Sequence, residues 1–148
     1  MARAYPFHGF VLVVVEHEGR FVVIREAKEN HGFYLPAGGM EVGESIQDTA
    51  VRETEEEAGI RVEPIGLLHV DQSWSVHSPS DVRCRLRYFV RARPVGSLRL
   101  KTTPDHHSEG AWWLRPDEMT QLTWRHDEAS AWIAAVAAGR AAMIPLDQ

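Results

Sequence analysis

The sequence predicts an α/β chain of the α+β kind, a mixed β-sheet flanked by helices. Three observations carry this. Strand-like runs lie on both sides of a helix-like segment, a second helix-like segment follows, and no repeat, linker or low-complexity tract intervenes. A sheet with apolar faces needs helices to cover them. The 148 residues, 44% hydrophobic and 25% charged, suit one globular domain over residues 1–148.

The elements follow in order. "FVLVVVEHEGRFVVIRE" is two β-branched runs around His17-Glu18-Gly19, which predicts a hairpin over residues 10–16 and 20–25. "NHGFYLPAGG" reads as a loop with a short extended piece, residues 33–35, stopped by Pro36. A helix follows, with Ser45 as N-cap, Asp48 three residues on, and Gly59 as its stop. Residues 62–74 and 83–93 read as strands joined by the polar loop "SVHSPSD". "GAWWLRP" is a further strand ended by Pro116. "DEASAWIAAVAAG" is a helix with Trp132, Ile133 and Val136 on one side and Gly139 as its stop.

Bulk charge narrows the function classes. A net charge of −5 and a pI near 5.9 give no support to nucleic-acid or anionic-membrane binding. The single cysteine, Cys84, excludes an internal disulfide and a cysteine-only zinc site. A reducing, cytoplasmic setting is the expectation. The first 19 residues lack a signal-peptide pattern, and no run approaches a membrane span. The composition is silent between monomer and homodimer.

The most informative stretch is "RETEEEAGI", in which four of the five residues 53–57 are carboxylates. An acidic run is usually a solvated face. On a helix, however, Glu53, Glu56 and Glu57 fall near 0°, 300° and 40°, in one sector with Ile46 and Ala50 at about 20° and 60°. The carboxylates therefore project from the apolar side, whereas Glu55, Asp48 and Arg52 can face water. Like charges three and four residues apart repel, and these sit near the negative helix end. A cation should offset them, and hard divalent ions take oxygen ligands. Just upstream, "PAGGMEVGE" is a glycine-rich turn in which Gly38 and Gly39 permit positive φ and close backbone approach.

Together these segments give Gly38, five residues, Glu44, seven residues, then Arg52-Glu53-Thr54-Glu55-Glu56-Glu57-Ala58-Gly59-Ile60. This resembles the Nudix box of MutT-like hydrolases, with eight specified positions matched over 23 residues. Thr54 departs from it, standing where an aliphatic residue is usual; its β-branched shape predicts an effect on packing only. The resemblance implies an α/β/α sandwich and hydrolysis of a nucleoside diphosphate linked to another group, with Mg2+ as cofactor and Mn2+ as a substitute. It further implies that Glu53, Glu56, Glu57 and the main-chain carbonyl of Ala37 hold the metal. Arg52 would orient the acids, and Glu44 would support Arg52. The glutamates, Glu57 and Glu53 among them, would be catalytic as well as metal-binding. Glu109, placed in a loop before the "AWWL" strand, resembles a distal glutamate that binds metal or acts as base in some members.

Several residues outside the box are candidates for holding substrate. In "RCRLRYFVRARP" the arginines at 83, 85, 87, 91 and 93 share one strand face. Arginine grips phosphate bidentately, and Arg87 is the choice, with Arg25 and Lys28 at the end of the second strand. Phe33 and Trp74 border loops and are candidates to stack on a base. The histidines form no spaced cluster, so zinc is not expected.

Outside the box, "EAK…YLPAG" and the tryptophan strand resemble the branch of the family that acts on oxidised guanine nucleoside diphosphates, such as 8-oxo-dGDP. The expected partner is thus a small-molecule nucleotide. ADP-ribose or another pyrophosphorylated metabolite is the alternative, although the proline that ADP-ribose specialists often carry downstream is replaced by Trp74 or Ser75. A catalytically inactive nucleotide-binding regulator is a third reading, which the intact box disfavours.

Overall fold

The computed structural model describes residues 5–28 and 32–147. Asn30 and His31, the first residues of the loop expected before Phe33, lie outside them. Eight strands and two helices are present among the described residues: β1 (Phe7–His17), β2 (Arg20–Glu26), β3 (Phe33–Tyr34), β4 (Ala37–Gly39), α1 (Ile46–Ala58), β5 (Val62–Ser78), β6 (Asp81–Pro94), β7 (Ser108–Leu114), α2 (Glu128–Ala137) and β8 (Ile144–Pro145), with a 3-10 turn at Pro116–Met119. The sheet runs β3-β2-β1-β6-β5-β8, with β4 added to β1 and β7 to β2. It is mixed, because β1 is parallel to β6 whereas β2, β4 and β5 pair antiparallel with their neighbours.

The predicted first hairpin is present. Glu18 (φ 49°) and Gly19 (φ 76°) both take positive φ, the two-residue turn that suits strand twist. β1 and β2 pair only beside this turn. They then splay: β1 takes β4 and β6, and β2 takes β7 and β3. Val11 to Val15 are all buried, so both faces of β1 are covered, as a near-continuous apolar run requires. α1 packs on β1, β4, β5 and β7. Trp132 of α2 meets Phe89 of β6 and His69 of β5, with ring centroids 5.6 and 5.3 Å apart.

Both ends of α1 match their sequence signals. Ser45 Oγ accepts from Asp48 N at 3.0 Å, and Asp48 returns the bond to Ser45 N at 2.9 Å. Gly59 sits at φ 77°, closing the helix in the left-handed region. Ala129, Ile133 and Val136 of α2 are buried.

Three expectations need correction. The polar "SVHSPSD" loop is largely strand: β5 runs to Ser78, β6 starts at Asp81, and only two residues turn. That ribbon extends beyond the core, so no apolar alternation marked it. Glu109 is not in a loop but lies within β7. Gly38 and Gly39 form β4 without positive φ; what Gly38 supplies is closeness, since a Cβ there would lie 2.0 Å from Glu53 Oε1.

Candidate active site

α1 delivers its acids as the helical geometry predicts. Glu53 and Glu57 are buried (8% and 7% exposed) together with Ala50, and Glu55 faces solvent. Thr54 is fully buried and its hydroxyl donates to Ala50 O at 2.7 Å, so the departure from an aliphatic residue is absorbed within the helix. Arg52 does not face water. Its guanidinium donates to Glu44 (2.9–3.1 Å), Glu53 (2.8 Å), Glu56 (3.3 Å) and the Gly39 carbonyl (2.9 Å). It thus ties the helix to β4, and Glu44 holds it in place as expected. Lys101 supplies a second offset to the helix end, donating from Nζ to Glu56 O at 2.9 Å.

Glu57 reaches β4, where Oε1 accepts from Ala37 N at 3.0 Å. Burial pushes its carboxyl up to about 9, opposed by the Ala37 bond and reinforced by the neighbouring Glu53 charge. Burial also raises Glu53, although Arg52 pulls the other way. The two carboxyls are hydrogen-bonding neighbours. The upward shift of both reflects a site with too much negative charge for its solvation.

Glu53, Glu57 and Ala37 open onto a cleft of about 260 Å³, whose walls include Glu26, Lys28, Arg125, His106 and His107. Glu56 is turned aside, between Arg52 and His107 Nδ1 (3.6 Å). Among the described residues no three His, Cys, Asp or Glu converge as a ready-made cage. Hard divalent ions take oxygen ligands, and Glu53 and Glu57 supply two desolvated carboxyl groups on this cleft, where water and substrate oxygens could complete a coordination shell.

The other expected residues fall elsewhere. Arg25, Lys28, Phe33 and Glu109 line a second cleft of about 470 Å³, which meets the first at Glu26 and Lys28. Glu109 pairs with Arg25 at 3.1 Å and does not reach the carboxylate cleft. Phe33 packs edge-on against Trp112 (5.7 Å) and under Arg25 (5.9 Å). Trp74 lies out on the β5–β6 ribbon, 53% exposed against Tyr5, and lines none of these clefts. Arg87 borders a third cleft, but its guanidinium is spent on Asp71 (2.7–2.8 Å) and Glu128 (2.6–2.9 Å). Those bonds hold the Asp71 carboxyl below its usual range, and Tyr34, buried and bonded to Glu128, is raised. Arg87 therefore fastens α2 to the sheet and is not left free for phosphate.

Sequence reasoning missed Arg125 and gave the histidines no role. Arg125 is carried into the site by the 123–125 segment docking on Phe33, through Phe33 N to Thr123 O and Arg125 N to Phe33 O, both 2.9 Å. No periodicity marks that segment. The His106 and His107 rings meet at a tilt of 40° with centroids 3.9 Å apart.

This fold with this acidic helix defines a Nudix protein. Residues 6–133 match the family described as NUDIX domain, and the chain belongs to that family. Within it, the chain is similar to the 8-oxo-dGDP phosphatase NUDT18 of Mus musculus, with 38% identity over 118 residues that cover 74% of this chain and 33% of the mouse protein. It therefore spans about a third of that relative's length. A MutT-like protein of Streptomyces ambofaciens is 32% identical over 122 residues, 81% of this chain and 72% of the relative. A solved NUDIX hydrolase from Nitrosomonas europaea superposes with TM-score 0.73 at 24% identity, covering 93% of each chain, and this likeness shows the fold. No helix of the described residues is long and apolar enough to cross a membrane.

Proposed function

We propose that the protein is a Mg2+-dependent hydrolase of nucleoside diphosphate derivatives, with an oxidised guanine nucleoside diphosphate such as 8-oxo-dGDP as substrate. The observation that carries the reading is the pair of buried carboxylates, Glu53 and Glu57, set against β4 at the floor of a cleft with Lys28 and Arg125 in its walls. The similarity to the mouse 8-oxo-dGDP phosphatase supports the substrate class.

In this reading Glu53, Glu57 and the Ala37 carbonyl hold the cation, with Glu56 available from the next turn. A bound Mg2+ or Mn2+ would neutralise phosphate oxygens and acidify a water for attack at phosphorus. Arg52 keeps Glu53 and Glu56 in place, and Glu44 keeps Arg52 in place. Lys28 and Arg125 engage phosphate oxygens from the cleft walls. A cation held by Glu57 would displace the proton its raised carboxyl keeps, so proton release should accompany metal binding.

The test is a substrate panel with Mg2+, Mn2+ and chelator, reading phosphate release and nucleoside monophosphate. The expected result is divalent-dependent cleavage, with oxidised guanine diphosphate preferred over normal guanine diphosphate and triphosphate. Cleavage of ADP-ribose or a non-nucleotide pyrophosphate tenfold better, about 1.4 kcal/mol of transition-state preference, would overturn the substrate assignment. Absence of any divalent-dependent cleavage would overturn the hydrolase reading.

A further inference from the structure

β6 carries five arginines on one face, and four have acids. Arg83 pairs with Asp81 (2.9 Å), Arg87 with Asp71 and Glu128, Arg91 with Glu16 (2.8 Å) and Arg93 with Glu63 (2.6 Å). Among the described residues Arg85 makes no ion pair. Its guanidinium lies 5.1 Å over the ring of Phe10, at the wall of the third cleft, about 150 Å³ in volume. Tyr34 forms part of the same cleft with Arg125 placed 5.5 Å over its ring, and Leu12 and His126 complete the lining that matters here. The cleft shares Ala37 and Arg125 with the carboxylate cleft. A planar ring bound here would thus be joined to its phosphates across Ala37, beside Glu53 and Glu57.

We propose that this cleft is the nucleobase pocket and that Arg85 is its specificity-determining residue, selecting a keto purine (guanine type) over an amino purine (adenine type). The inference rests on the nucleotide-hydrolase reading above. Two aromatic rings and two flat guanidinium groups offer stacking surfaces for a base. Phe10 holds the Arg85 guanidinium by its face and leaves its N–H edge for the ligand. That edge only donates. Guanine presents an oxygen acceptor at C6, and oxidation at C8 leaves it in place. Adenine presents an amino donor there, and two donors facing each other in a half-enclosed site leave both unpaired. Arg125 does not supply the same selection, because one of its nitrogens is already held by Glu26 at 2.6 Å.

The test uses the whole chain, with Arg85→Gln and Arg85→Lys as variants. Arg85 makes no ion pair, so both should fold, and thermal melting checks this. kcat/KM is measured with Mg2+ for guanosine and adenosine diphosphates, and calorimetry in chelator measures binding of the two monophosphates. Wild type should favour guanosine diphosphate by about tenfold or more, and both variants should lose most of that ratio. Lysine keeps the charge but not the planar fork, so a wild-type ratio in Arg85→Lys would overturn the proposal. An equal loss of affinity for both monophosphates would also overturn it, marking Arg85 as a phosphate contact. Equal cleavage of both diphosphates by wild type would overturn it and leave the hydrolase reading intact. If wild type cleaves neither yet binds guanosine monophosphate preferentially through Arg85, the pocket stands, and the substrate panel described above decides the hydrolase reading separately.

Discussion

Glu57 is the residue on which the metal-free site is most out of balance. Its carboxyl is pushed up to about 9 by burial, against an ordinary value near 4.5. The folded, metal-free protein therefore holds a proton that the unfolded chain has released between these limits. Metal-free stability is greatest below about pH 4.5 as far as this group is concerned, and falls as pH rises through that window to about 9. Glu57→Gln removes the titration. The variant should melt higher than wild type in chelator at pH 8.5, with little difference at pH 5, and should lose divalent-dependent turnover by about a hundredfold or more. Calorimetry at the two pH values checks the first part; a variant that melts well below wild type at both would make Glu57 a structural acid.

Arg52 makes the opposite case at the same scale. It is three-quarters covered and serves Glu44, Glu53, Glu56 and the Gly39 carbonyl at once. Arg52→Ala leaves those acids facing one another without a cation, and should cost roughly 3 kcal/mol in urea unfolding as well as activity. Added divalent cation should restore part of that stability by neutralising the same acids.

At the scale of elements, the close approach of β4 to α1 makes the site. Because a Cβ on Gly38 would meet the Glu53 carboxyl at 2.0 Å, Gly38→Ala should displace that carboxyl. The clash is with the end of a side chain, so the fold should survive with a melting point within a few degrees of wild type. On the proposed reading, in which Glu53 holds the cation, divalent affinity read by Mn2+ titration should fall about tenfold or more. Unchanged Mn2+ affinity would separate Glu53 from the metal. The box helix was legible in the sequence, because capping, spacing and the acid sector are local properties. That Gly38 is needed for closeness and takes no positive φ was not, since it depends on what lies across from it.

At the scale of the whole molecule, Arg87, Asp71, Glu128 and Tyr34 join β6, β5, α2 and β3 in one network. Arg87→Ala leaves two partly buried carboxylates without their cation. It should cost roughly 3 kcal/mol in chemical denaturation. Arg87→Lys should recover only part, since one ammonium cannot form paired bonds to two carboxylates. A loss below about 0.5 kcal/mol in Arg87→Ala would return this arginine to the role of a substrate contact.

By itself, the sequence determined what depends on neighbours in the chain: the hairpin turn, the capped helix, the sector shared by Glu53 and Glu57, and the spacing that marks the family. It also placed an apolar run at β1 that only a sheet covered on both faces could bury. Only the tertiary structure decided which side chains face the same space. It put Glu109 beside Arg25 and not beside Glu57, and set Trp74 out on a ribbon. It spent Arg87 on two acids and left Arg85 with none, although the two arginines share a strand face and read alike in sequence. It brought Arg125 and two histidines into the carboxylate cleft from segments without periodicity. The physical reason is that ion pairing is set by what the partner strands and helices present at each register. A chain read one residue at a time does not contain that pairing until the sheet has formed.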